Sequence, residues 1–194
     1  EAVSRAAKAV QPDIIVMVDN CYGEFTQKQE PTQRGADLMA GSLIKNPGGG
    51  IAPTGGYIAG RADLVELCAH RLSAPGVGGE IGCTLDMLRG MYLGLYYAPG
   101  VVCEALKTSV YAACLFELLG YAATPAYDAQ RNDIITSVET GSPEGMVALC
   151  GGVQAGSANA SAAVAVTPMM RRNRCVIAPS SGYSARRNRA TVST

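Results

Sequence analysis

Apolar positions first gather at Ile14, Ile15, Val16, Met17 and Val18, a run closed by Asp19. A near-continuous, partly β-branched run of this length predicts a buried strand in a parallel sheet covered on both faces. Residues 1–10 before it predict the end of a helix, which Gln11 and Pro12 break. Residues 20–36 predict a loop with a short helical piece. A second strand is predicted over 37–44, closed by Lys45. The next stretch, 46–56, holds five glycines and two prolines, which permit unusual backbone angles and close approach to a ligand. Residues 57–60 predict a short strand. Leu64, Val65, Leu67 and Cys68 set an amphipathic helix over 61–72. After a glycine-rich loop at 73–82, Thr84 is placed to cap a helix over 85–97. Pro99 and Gly100 interrupt, and 101–119 predicts a long apolar helix with Gly120 just past its end. Strands are predicted over 121–124 and 133–138. Ser142, Pro143 and Glu144 supply the cap, first-turn proline and first-turn acid of a helix ending at Gly156. Beyond about residue 157 no periodicity holds.

Two strands closing on Asp19 and Lys45 carry the chemical signal. Ligands in open α/β sheets sit beyond the carboxyl ends of the strands, and neighbouring strands lie ~4.8 Å apart. If the two strands are neighbours, a carboxylate and an amine reach opposite edges of one small ring. Pyridoxal phosphate needs this pair: a lysine to bond its aldehyde and an acid to keep its ring nitrogen protonated. The amine must lose a proton to react, so a lysine in this role is expected to have its pKa lowered by burial or nearby positive charge. Asp19 is expected to be buried. Ser42, three residues before Lys45, can offer its hydroxyl to the phosphate. Against this stand plainer readings, a surface lysine and a turn aspartate; the pairing favours the cofactor. A nucleotide phosphate loop would need its lysine after the glycines, not before them. Cys21 reads as a small buried residue in preference to a reactive thiol, and Tyr22 as packing in preference to a cofactor contact. His70 reads as a partly exposed structural residue.

Composition narrows the class. Apolar residues make up 48% of the 194, enough for a core, and 16% are charged. Sixteen basic residues balance sixteen acidic ones, so nothing global draws the chain to nucleic acid or an anionic membrane. Seven cysteines, an odd number without a C-x-x-C pair, predict reduced thiols and a cytoplasmic setting. With one histidine, a zinc site is not expected. The chain opens on Glu1 without a methionine, so it is expected to begin mid-protein. No acid follows Glu144, whereas six arginines do. No role is assigned to Arg171, Arg172, Arg174, Arg186, Arg187 or Arg189.

The run Val18 to Tyr22, then Gly35 to Leu38, Ser42 to Lys45 and the glycine turns up to Gly60, resembles the Cys/Met-metabolism group of fold-type-I pyridoxal phosphate enzymes. Residues 46–57 and 71–75 are similar to its methionine γ-lyase-like branch, the aluminium resistance proteins. The similarity is read over about 1–157. It implies an α/β fold, a partial α/β/α sandwich followed by a partial small α/β domain. The expected divisions are 1–97 for the C-terminal half of the large cofactor domain, 98–157 for part of the small domain, and 158–194 for a divergent or disordered Arg-rich tail. It further implies Lys45 as the cofactor-bonding catalytic lysine, Asp19 as partner of the ring nitrogen and Ser42 as a phosphate ligand. The implied activity is a carbon–sulfur lyase eliminating a thiol from a sulfur-containing amino acid, in a homo-oligomer, dimer or tetramer. Relatives are about twice this length. Their N-terminal half would supply a phosphate turn and a stacked aromatic ring, and their C-terminus an arginine for the substrate carboxylate; none is visible here. The chain therefore reads as a fragment, inactive alone. Another activity on the same scaffold, such as aminotransfer, and a non-catalytic remnant stay open as alternatives.

Overall fold

The computed structural model describes residues 1–80, 82, 84–158, 164–167 and 174–179, with backbone alone at 157–158 and in the last two stretches. Helix α1 (Ala2–Val10) leads to strand β1 (Met17–Asp19). A 3-10 turn over Pro31–Arg34 ends on Gly35 in the left-handed region and feeds β2 (Leu38–Ser42). A second 3-10 turn, Asn46–Gly48, follows, then β3 (Gly56–Gly60) and α2 (Ala62–Leu72). β1 and β2 pair in parallel, with Asp19 opposite Ala40; β2 and β3 pair antiparallel, with Ser42 opposite Gly56. The adjacency of the Asp19 and Lys45 strands therefore holds. The predicted covering of both faces does not. β1 is an edge strand here, and Ile15 and Met17 are more than half exposed. Both strands are also shorter than their apolar runs: pairing begins only where Val16 accepts the Asp37 amide, and past Ser42 the Leu43 amide makes one more bond, to the Gly55 carbonyl, before the chain turns.

The two helices expected over 85–97 and 101–119 are one: α3 runs Leu88–Leu118 straight through Pro99. A proline inside a helix removes one backbone bond and its ring crowds the preceding turn. The helix tolerates this because Pro99 and Gly100 face solvent, where water can serve the freed carbonyl. Meanwhile the opposite side buries Ala98 and Val102 almost completely. The expected division at residue 97 thus falls inside a continuous helix. The start of α3 also moves. Leu85 and Asp86 adopt positive φ, and Thr84 closes a turn by accepting the Met87 amide instead of capping the helix. At the other end Gly120 (φ 85°) donates to Glu117, and Tyr121 to Phe116, the anticipated glycine stop.

A second sheet follows, ordered β4-β5-β7-β6, from β4 (Ala122–Thr124), β5 (Thr136–Glu139), β6 (Val164–Thr167) and β7 (Arg174–Pro179), all antiparallel. Helix α4 (Pro143–Ala158) starts as foreseen, with Ser142 Oγ accepting the Gly145 amide at 3.0 Å, but continues past Gly156. Two strands thus lie in the stretch where no pattern was legible. The core of this half gathers on Val138 and Met146, with Phe116 and Leu149 against them. Arg131, 7% exposed, donates to Ser109 and Thr136 Oγ at 2.7 and 3.0 Å, tying α3 to β5. Among the described residues, no helix is long and apolar enough to cross a membrane.

Candidate active site

Asp19 is the last residue of β1, and its carboxylate accepts the Cys21 amide at 3.1 Å, closing a tight turn. Asn20 then donates to the Ala40 carbonyl at 2.9 Å, a final rung between the two strands. Tyr22 takes φ +72°, a left-handed conformation that costs a side-chain-bearing residue free energy and must be held by its surroundings. Beyond Ser42, the Lys45 amide bonds back to the Ser42 carbonyl at 3.2 Å and turns the lysine over the strand ends. Its Nζ lies 4.9 Å from the centroid of the Tyr22 ring. Asp19, Cys21, Tyr22 and Lys45 therefore form one cluster, with Ser42 at the base of the lysine turn.

The electrostatics follow from that cluster. Asp19 is held below the ordinary carboxylate range by hydrogen bonds from Cys21, side chain and then backbone, with the Lys45 charge adding to them. Lys45 is pushed up, foremost by its side-chain hydrogen bond with Cys21; burial opposes this, and the electrostatic effects of Cys21, Tyr22 and Asp19 assist it. Two expectations are corrected here. The lysine pKa was expected to fall, and Asp19 was expected to be buried. Asp19 is exposed and Lys45 only half-buried, so desolvation is weak, and the groups acting on the amine favour its charge.

Below the cluster the lysine loop is buried and closely packed. Asn46, Pro47, Gly48 and Gly49 are all buried. Gly48 and Gly49 pack against the backbone of Gly94 in α3 so closely that a Cβ on any of the three would strike a carbonyl oxygen. Asn46 Nδ2 donates to the Tyr22 carbonyl at 3.2 Å. A second polar group lies over Gly41. Glu24, 3% exposed, accepts from Tyr57 Oη at 3.0 Å, and Asn20 Nδ2 donates to Glu30 at 2.8 Å. An apolar cavity of about 370 Å³ opens beside them, between β2, β3 and the start of α3. Sequence reasoning passed over Asn46, Glu24 and Tyr57. Asn46 was hidden among glycines, though a polar amide between the key lysine and a proline is a usable signal. Glu24 and Tyr57, 33 positions apart, meet only in the fold.

The donor set fits pyridoxal phosphate: an ionised carboxylate, an amine and a hydroxyl at the open ends of two adjacent parallel strands. His70 sits half-exposed on α2, 3.9 Å from Glu66 and outside the cluster.

The methionine gamma-lyase family profile matches residues 1–182, past the point where similarity could be read from motifs. The Bacillus subtilis (strain 168) "Uncharacterized protein YnbB" is 50% identical over 150 residues, 77% of this chain and 36% of that one. A carbon-sulfur lyase involved in aluminum resistance from Clostridium novyi NT superposes with a TM-score of 0.83 at 38% identity, over 93% of this chain and 49% of that one. An aspartate aminotransferase from Thermus thermophilus, at 17% identity and a TM-score of 0.60 over 95% of this chain and 55% of that one, shares the fold alone. The chain thus spans between a third and a half of the length of these closer relatives. With 182 matched positions and the strand-end cluster inside them, the chain belongs to the methionine gamma-lyase family.

Proposed function

We propose that this chain carries the lysine and aspartate of a pyridoxal phosphate-dependent carbon–sulfur lyase acting on a sulfur-containing amino acid. The observation that supports it most is the parallel pairing of β1 and β2, which sets Asp19, at the end of β1, beside the strand that leads into Lys45. Lys45 would hold the aldehyde, Asp19 the ring nitrogen and Ser42 the phosphate. When bound, the cofactor supplies an electron sink that lets an amino acid lose its α-proton and expel a thiol from its side chain. Asp19 contributes a carboxylate that stays ionised at neutral pH, as a partner to a protonated nitrogen must. Lys45, once released from the cofactor by substrate, is a positioned amine able to take the α-proton and return it. The glycine contacts with α3 pack closely behind the loop that carries that amine. The activity belongs to a longer, oligomeric protein; the exposed aromatic and leucine positions of α3 supply apolar surface for such contacts.

The test is reductive trapping. Incubation with pyridoxal phosphate and borohydride, followed by peptide mass mapping, is expected to place the adduct on Lys45 and to lose it in Lys45→Ala. Labelling spread evenly over other lysines would refute the assignment.

A further inference from the structure

The ladder between β1 and β2 ends at Ala40, five residues before the lysine, so it does not itself fix where Lys45 stands relative to Asp19. Besides the Lys45 contact with Cys21, two contacts bridge that gap and fall on Tyr22. The Lys45 ammonium rests over its ring and the Asn46 amide binds its carbonyl. Tyr22 needs such a hold, since its positive φ is disfavoured for a residue with a side chain. Asn46 is 3% exposed, so losing its amide would leave the Tyr22 carbonyl short of a buried donor. The loop that carries it is pinned from behind by Gly94 of α3.

We infer that Asn46 is a positioning residue for Lys45: by fixing the strained Tyr22 turn, it keeps the tyrosine ring under the ammonium and so fixes where that amine stands over the strand ends. This rests on the reading of the site as a cofactor site, but its first readout does not. The groups facing the amine are Asp19, Cys21 and Tyr22. Of these, only Tyr22 is gripped by Asn46.

The experiment is competitive acetylation of the 194-residue chain over a pH series, scored at Lys45 by peptide mass, in wild type, Asn46→Ala, Tyr22→Ala and the double variant. An ammonium that loses an aromatic face near solvent should release its proton about half a pH unit lower. Asn46→Ala and Tyr22→Ala are each expected to lower the Lys45 midpoint by that amount, and the double variant no further, because the two act as one device. An unchanged midpoint in a folded Asn46→Ala, or additive shifts in the double variant, overturns the inference. If Asn46→Ala does not fold, Tyr22→Ala alone decides: an unmoved midpoint there removes the device Asn46 is said to hold. Borohydride trapping on the same samples separates the two claims. Wild type that titrates as described but takes no cofactor defeats the proposed function and leaves the positioning role of Asn46 intact.

Discussion

Glu24 shows what one misplaced charge costs. Its carboxyl is pushed above the ordinary value of 4.5 by burial first, with the Glu30 charge adding to it; its own backbone, Tyr57 and the Tyr22 backbone pull the other way without cancelling it. Oε2 has no hydrogen-bond partner. Because the folded pKa lies above the unfolded one, the associated stability is fully present below pH 4.5 and fades as pH rises through the folded value. Glu24→Gln removes that ionisation while keeping an oxygen for Tyr57. Urea midpoints measured from pH 4 to 7 are therefore expected to fall for wild type relative to Glu24→Gln as pH rises; parallel curves would show that Glu24 does not titrate in this range. The Tyr57 hydroxyl, pushed far above its ordinary value chiefly by burial, stays protonated throughout and remains the donor.

Among the elements, α3 decides most. It carries Gly94 against the lysine loop at one end and Ser109 against Arg131 and Thr136 at the other. Gly94 and Gly100 lie less than two turns apart yet answer to different physics. A Cβ at Gly94 meets the Gly48 carbonyl, a backbone atom unable to rotate aside, whereas nothing lies within 4 Å of one at Gly100. Gly94→Ala is expected to destabilise by about 2 kcal/mol through overpacking, and Gly100→Ala to stabilise by up to about 1 kcal/mol through helix propensity. Urea denaturation checks both, and equal signs would contradict the close approach. The same argument explains why the proline failed as a predictor. Its local penalty was legible, but the burial of Ala98 and Val102 that outweighs it was not.

At the scale of the molecule, the described surface leaves much apolar area uncovered. Tyr92 is 66% exposed, Tyr96 77% and Leu118 81%, all on α3. Apolar exposure on this scale marks contact surfaces. Sedimentation velocity is expected to show concentration-dependent self-association that persists in high salt, since burial of apolar area, unlike ion pairing, is not screened. A monodisperse monomer at every concentration tested would count against it.

The sequence alone determined the local events: where β1 ends, the glycine stop after α3 and the serine cap of α4; it also singled out Asp19 and Lys45 as expected partners of one cofactor. Each is written within a few positions, where periodicity, capping and backbone freedom act. Tertiary structure decided what depends on partners distant in the chain. It carried α3 through Pro99, left Asp19 exposed, raised the lysine where a fall was expected, and brought Asn46 to Tyr22 and Glu24 to Tyr57. Burial, charge and hydrogen bonding are set by what lies nearby in space, and the decisive neighbours of Lys45, Asn46 and Glu24 lie far along the chain.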